Sequence, residues 1–382
     1  MNNPLPSKLP EVGTTIFTVM SALANKHGAV NLSQGFPDFD CSERLKELVD
    51  HHIRLGHNQY APMAGLIELR EELTKKIELQ HGYYYNPDSE VTITAGATQA
   101  IFTAVLALAH IGDEVIVIEP AYDCYEPAIR LAGAEVVRVP LDLENRDIDV
   151  DKISEAISPK TRLIMINSPH NPTGICVSRE SMLSLSKLLS DTNIILLSDE
   201  VYEHIIFDGR AHESVAKHPG LAERSVLISS FGKTYHNTGW KLGYCMAPAE
   251  IMNEFRKVHQ FNVFCVNRPM QHAFAELLKE ESSYDDLSDF YQEKRDFFCE
   301  AIRGSRFKFS PTEGTYFQLL DYSELSKEPD IELAKRWTKE KGIASIPISS
   351  FYSNAPKNYL LRFCFAKNQD TIEKGAEILN SL

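Results

Sequence analysis

From about residue 64 to 240, short runs of β-branched and apolar residues alternate with stretches of helical period. After Gly65, the residues Leu66, Leu69, Leu73 and Ile77 recur on one helical face, while Glu71/Lys75 and Glu72/Lys76 pair at i,i+4 on another. That pattern predicts a helix with one buried stripe and one solvated stripe. Val91–Thr94 then predicts a strand, Gln99–His110 a helix, Glu114–Ile118 a strand, and a helix from about Tyr125 ends at Gly133 before the strand Glu135–Val139. Arg162–Asn167, Asn193–Ser198 and Ser225–Ser229 predict three more strands separated by helix-length segments. Such alternation implies an α/β fold, a mostly parallel sheet with helices on both faces.

Beyond about Glu250 the texture changes. Long charged helices, notably 285–303, give way to a mixed tail with strands at 315–320, 343–348 and 359–365, a helix near 331–341 and a final helix. The expected organisation is a large α/β domain over 36–270 and a smaller α+β domain made of 1–35 and 271–382. Neither an internal repeat nor a low-complexity tract interrupts it.

Composition narrows the function classes. Of 382 residues 43% are apolar and 24% charged, the balance of a globular chain, and the net charge of −14 repels phosphodiesters and anionic headgroups. No basic patch offsets it, so neither a nucleic-acid nor a membrane partner is expected. The longest strongly apolar stretch, about 100–111, falls far short of the roughly 20 residues a spanning helix needs. The amino terminus lacks the charged and apolar regions of a signal peptide, which points to a cytoplasmic protein. Seven scattered cysteines without a CxxC pair argue against a disulfide framework or a zinc site, and no metal is expected.

The chemistry is positional. Gly96-Ala97-Thr98, Ser168-Pro-His-Asn171-Pro-Thr-Gly174, Asp199-Glu-Val-Tyr202 and Ser229-Ser-Phe-Gly-Lys233 each follow a predicted strand. In parallel sheets ligands bind at the carboxyl ends of strands, so four polar motifs converge on one rim. Two decoys fail. Gly232-Lys233-Thr234 imitates the end of a Walker A loop, but Leu227 stands where its first glycine belongs. Ser230-x-x-Lys233 imitates an acyl-serine motif without its companion elements.

These motifs, with Asn58-Gln-Tyr60, Glu119-Pro-Ala-Tyr122-Asp-Cys-Tyr125, Gly239-Trp-Lys241-Leu-Gly and Leu361-Arg362-Phe-Cys-Phe365, resemble the fold-type I aminotransferases that use pyridoxal 5′-phosphate. The resemblance covers almost the whole chain, and the wording is similar to the methionine and kynurenine aminotransferase branch.

The resemblance implies a role for each residue. Lys233 would hold the cofactor covalently and, once displaced, act as the free amine that moves the substrate Cα proton. Asp199 would pair with the pyridine nitrogen. Asn171 and Tyr202 would donate to the ring oxygen, and Tyr122 would stack on the ring. Ala97, Thr98, Ser230 and Lys241 would hold the phosphate, joined by Tyr60 from the neighbouring subunit of a homodimer. Lys241 stands where many relatives carry arginine, so it would act as a point charge. Arg362 would grip the substrate carboxylate with Asn171 and the Gly35 N–H nearby, and Phe17 would cover the side-chain pocket. His170, His204 and His236 adjoin these motifs, yet the proton shuttle falls to Lys233 alone.

The implied activity is ping-pong transfer of an amino group from an L-amino acid to a 2-oxo acid. Methionine and other bulky apolar or aromatic substrates are favoured, with kynurenine and glutamine as further candidates. A carbon–sulfur β-lyase on the same scaffold is the first rival. A cofactor-sensing regulator is the second, though it would be expected to carry a basic DNA-binding extension.

Overall fold

The computed structural model describes residues 5–280 and 284–382. Its strands, in chain order, are β1 (Val30–Asn31), β2 (Val91–Thr94), β3 (Glu114–Glu119), β4 (Glu135–Pro140), β5 (Thr161–Asn167) and β6 (Ile195–Asp199). They continue with β7 (Ser225–Ser230), β8 (Gly243–Met246), β9 (Phe317–Asp321), β10 (Ile343–Ala344), β11 (Ile346–Pro347) and β12 (Leu360–Cys364).

Seven strands form one sheet in the order β2-β8-β7-β6-β5-β3-β4. All ladders among β3 to β7 are parallel, while β8 runs antiparallel to both neighbours, which leaves β2 parallel to β7. The carboxyl ends of β2, β5, β6 and β7 therefore share one rim. Both faces are covered, and the strands read as apolar runs for that reason. Val115 and Val117 feed the core on one side of the sheet and Ile116 and Ile118 the core on the other. Leu163/Met165 against Ile164/Ile166 repeat the period of two.

The helix predicted after Gly65 spans Ile67–His81, with Leu66, Leu69, Leu73 and Ile77 all buried. Its charged face differs from expectation. Lys75 pairs with Glu72, whereas Lys76 turns inward to a buried ion pair with Glu203 at 2.9 Å. The helix expected from Gln99 begins at Gly96, three residues earlier.

The remaining strands lie elsewhere. β9 and β12 pair antiparallel, β11 joins β12, and β1 pairs in parallel with β10. The run 343–348, expected as one strand, switches partners at the buried Ser345, so its halves belong to different sheets. A third core, including Met20, Leu32, Leu333, Trp337 and Phe363, binds the amino-terminal helix Ile16–His27 to these carboxyl-terminal elements. Among the described residues no helix is long and apolar enough to cross a membrane.

Candidate active site

The loops after β2, β3, β5, β6 and β7, with the segment leading into β8, close around one cavity. Its walls include Ala97, Thr98, Tyr122, Asn171, Asp199, Tyr202, Ser230, Lys233 and Lys241, nine of the ten residues expected at the cofactor. The tenth, Tyr60, lies outside the cavity, 78% exposed and edge-on to Phe264 at 5.2 Å. A second cavity shares Tyr122 and Asn171 with the first and is lined by Phe17, Gly35, Phe317 and Arg362. The sequence thus placed both groups of residues on connected walls.

Asp199 ends β6, in register with Asn167 at the end of β5. Asn167 staples the rim: its Nδ2 donates to the Asp199 carbonyl at 2.8 Å, and its Oδ1 accepts from the Asn171 N–H at 2.7 Å. The Asp199 carboxyl is buried and accepts from Tyr125 Oη at 2.6 Å. Burial pushes it up to about 6, against the lowering pull of the Tyr125 bond.

Lys233 lies in the single turn Phe231–Thr234 that follows β7, a turn started by Ser230, whose Oγ accepts from the Gly232 N–H. Phe231 anchors that turn by stacking on Phe274 at 4.3 Å. Lys233 Nζ donates to Tyr316 Oη at 2.9 Å and to the Gly35 carbonyl at 3.3 Å, over the rings of Tyr202 and Tyr316. No carboxylate among the described residues is ion-paired with it, and burial brings its ammonium down to about 8.

Arg362 projects from β12. Its Nη1 donates to Asn171 Oδ1 at 2.6 Å and its Nη2 to the Ser33 carbonyl at 3.4 Å, while Nε is buried without a partner. Its guanidinium lies 3.8 Å from the ring centre of Phe317 and 5.4 Å from that of Phe17. An internal salt bridge would have been the bland explanation of a buried arginine, but no carboxylate among the described residues sits within ion-pair distance. A buried cation with spare donors beside an open cavity is built to receive an anion.

The glycines at the rim explain themselves by space. Gly96 adopts φ +79°, and a Cβ there would meet Lys241 Nζ at 3.3 Å; a Cβ on Gly243 would meet the Gly96 carbonyl carbon at 3.0 Å and the Ala97 nitrogen at 3.1 Å. Backbone and lysine therefore approach the start of the helix Gly96–Leu108 closely. At Gly35 the carbonyl is engaged, by Lys233 and by Tyr316 Oη at 2.6 Å.

Sequence reasoning gave no role to Tyr125, Asn167 or Tyr316. Tyr125 stands inside a quoted motif, but nothing local says that its hydroxyl reaches a strand 74 residues on. Tyr316 comes from the carboxyl-terminal part and offers no local signal. His170, His204 and His236 do not line the cavity; His170 is bonded to Thr173 at 2.8 Å.

Comparison with known proteins finds relatives along the whole chain. The family model for aminotransferase class I and II matches residues 27–379. Methionine aminotransferase of Escherichia coli (strain K12) is 48% identical over the full length of both chains. A solved E. coli structure described as having a methionine aminotransferase function superposes with a TM-score of 0.97, again covering 100% of both chains. Human kynurenine–oxoglutarate transaminase 1 is 33% identical over 94% of this chain and 93% of its own. Aspartate aminotransferase from Thermus thermophilus with maleate is 28% identical, with a TM-score of 0.91 over 99% of each chain.

Proposed function

The chain belongs to the class I and II aminotransferases, enzymes that use pyridoxal 5′-phosphate, and from that premise we propose that it transaminates methionine and other bulky apolar or aromatic L-amino acids as a cytoplasmic homodimer. The observation that carries the reading is the placement of Lys233, Asp199 and the unsatisfied Arg362 on connected cavity walls.

The donor set fits the cofactor. Backbone amides at the start of the helix Gly96–Leu108, the Ser230 hydroxyl and the Lys241 ammonium suit a phosphate, and the tight packing around Gly96 and Gly243 holds them together. Bound there, the cofactor supplies an electrophilic carbonyl and an electron-withdrawing ring that lets the substrate Cα–H bond ionise. The Asp199 carboxylate, held in place by Tyr125 and the Asn167 staple, is assigned to the ring nitrogen, and Asn171 and Tyr202 to the ring oxygen. Lys233 Nζ takes the Cα proton. An amine brought down to about 8 is poised for that task near neutral pH. Arg362 binds the substrate carboxylate with its free donors, fixing Cα toward Lys233.

The substrate side chain meets Phe17, Tyr122 and Phe317, apolar walls that suit the methionine named for the E. coli relative and the aromatic kynurenine named for the human one. The organisation that accompanies this reading is a large domain over 36–270 and a smaller one from 1–35 and 271–382. Tyr60 is assigned to the neighbouring subunit's phosphate.

The test is a panel of amino donors with several 2-oxo acids, run on wild type and Lys233→Ala. We expect methionine among the best donors and a loss of at least about 10³-fold in the variant. Undiminished turnover in Lys233→Ala would overturn the assignment, as would borohydride labelling elsewhere. Oxo-acid-independent release of pyruvate and ammonia from cysteine conjugates would identify the β-lyase instead.

A further inference from the structure

Three histidines that take no part in the cavity meet where two helices pack. His52 belongs to the helix Glu43–Arg54, His272 to the helix Arg268–Leu277, and His57 to the segment just after the first. One nitrogen from each ring lies within 4.8 Å of the others, and Nδ1 of His52 is 3.0 Å from Nδ1 of His57. On its far side His52 Nε2 lies 2.9 Å from Glu276 Oε1, within ion-pair distance though not aligned as a hydrogen bond. A carboxylate behind an imidazole is the arrangement that orients a metal-ligating histidine, fixing its tautomer and raising its basicity.

We propose that His52, His57 and His272 form a binding site for a divalent transition-metal ion of the zinc type, with Glu276 orienting His52. Imidazole-only donors favour zinc, nickel and copper over the oxygen-loving magnesium and calcium. Nitrogens bound at about 2.1 Å around a tetrahedral ion sit roughly 3.4 Å apart; the three rings are stacked within 21° to 28° of one another, so rings must turn before their lone pairs converge on one ion. His57 and His272 are stacked with centroids 4.0 Å apart, and a turn about the soft χ2 of one ring redirects its lone pair. Arg268 Nε, 3.4 Å from His272 Nε2, competes for that lone pair and must swing away. The bound ion would clamp the helix Arg268–Leu277 to the segment that leads to Tyr60.

The experiment takes the holoenzyme, stripped of metal by chelation, and titrates Zn²⁺ against a chromogenic chelator with Mg²⁺ as control. Expected are one zinc per chain, a rise in Tm, and affinity at least about 10-fold weaker in His57→Ala and in His272→Ala, with transamination retained. Arg268→Ala should bind more tightly. Co²⁺ substituted into wild type should show d–d bands without thiolate charge transfer, a readout that does not depend on how the variants fold. Absence of stoichiometric binding, unchanged affinity in both histidine variants, or a thiolate band pointing to the cysteines would each overturn the proposal.

Discussion

Arg362 carries its charge in a place where a charge is costly, with one nitrogen on Asn171 and another left unpartnered. Its planar fork is the reason an arginine stands there, and lysine would keep the charge while losing the fork. Arg362→Lys is therefore expected to raise KM for amino-acid donors by about 10- to 100-fold, with a smaller fall in kcat, measured by steady-state kinetics across the donor panel. Asp199 offers a second test at this scale. Its folded-state pKa of about 6 exceeds the ordinary carboxylate value of 3.8, so between those values the folded chain binds more protons than the unfolded one. Stability from this group is full below about pH 4 and is lost as pH rises through 6. Urea denaturation of the cofactor-free protein should show wild type losing of order 1–3 kcal/mol relative to Asp199→Asn between pH 4 and 7. A difference of the opposite sign would contradict the burial of that carboxyl.

At the scale of elements, the inward turn of Lys76 ties the helix Ile67–His81 to the active-site rim. Lys76 Nζ meets Glu203 Oε1, which also accepts from Ser229 Oγ at 2.6 Å and Tyr244 Oη at 2.8 Å, and Glu203 follows the cavity residue Tyr202. Lysine and the hydrogen bonds hold the Glu203 carboxyl well below the usual carboxylate range. Removing one partner leaves a buried charge, so Lys76→Met is expected to cost about 3–5 kcal/mol in chemical denaturation, and adding Glu203→Gln should return most of it. The sequence could not show this, because a Lys four residues after a Glu in a helix has an obvious partner on its own surface, and the competing one is 127 residues away. β8 escaped for a different reason. Gly243–Met246 is as short and as buried as β2 but has no β-branched residue, where β2 reads Val-Thr-Ile-Thr. The other sheet strands were legible because burial on both faces shows there as runs of Val, Ile and Leu. The cofactor-side residues were legible because the parallel topology sends successive strand ends to one rim. Tyr316 and Asn167 were not, since their partners depend on how distant segments dock.

For the whole molecule the proposed second subunit is tested at Tyr60. Tyr60 stands exposed with its ring against Phe264 and does not line its own cavity, and it is assigned above to a neighbour's phosphate. Tyr60→Phe is expected to leave the mass in solution at two chains by light scattering and to speed cofactor loss about 10-fold, the worth of one hydrogen bond to a charged group. A monomeric wild type, or unchanged retention of cofactor, would remove Tyr60 from the site.

The position of β8 has a last consequence, one that concerns the order of events during synthesis. β2 touches the large sheet through β8 alone, and some 150 residues separate the two strands in the chain. While a ribosome is still extending the polypeptide short of Met246, β2 has no strand to join, and the start of the helix at Gly96 lacks the Gly243 backbone that packs against it. Lys233 has by then already been made. A nascent chain thus holds Lys233 before the cavity wall at Gly96 is closed, a closure that waits for a late strand to slot between two earlier ones.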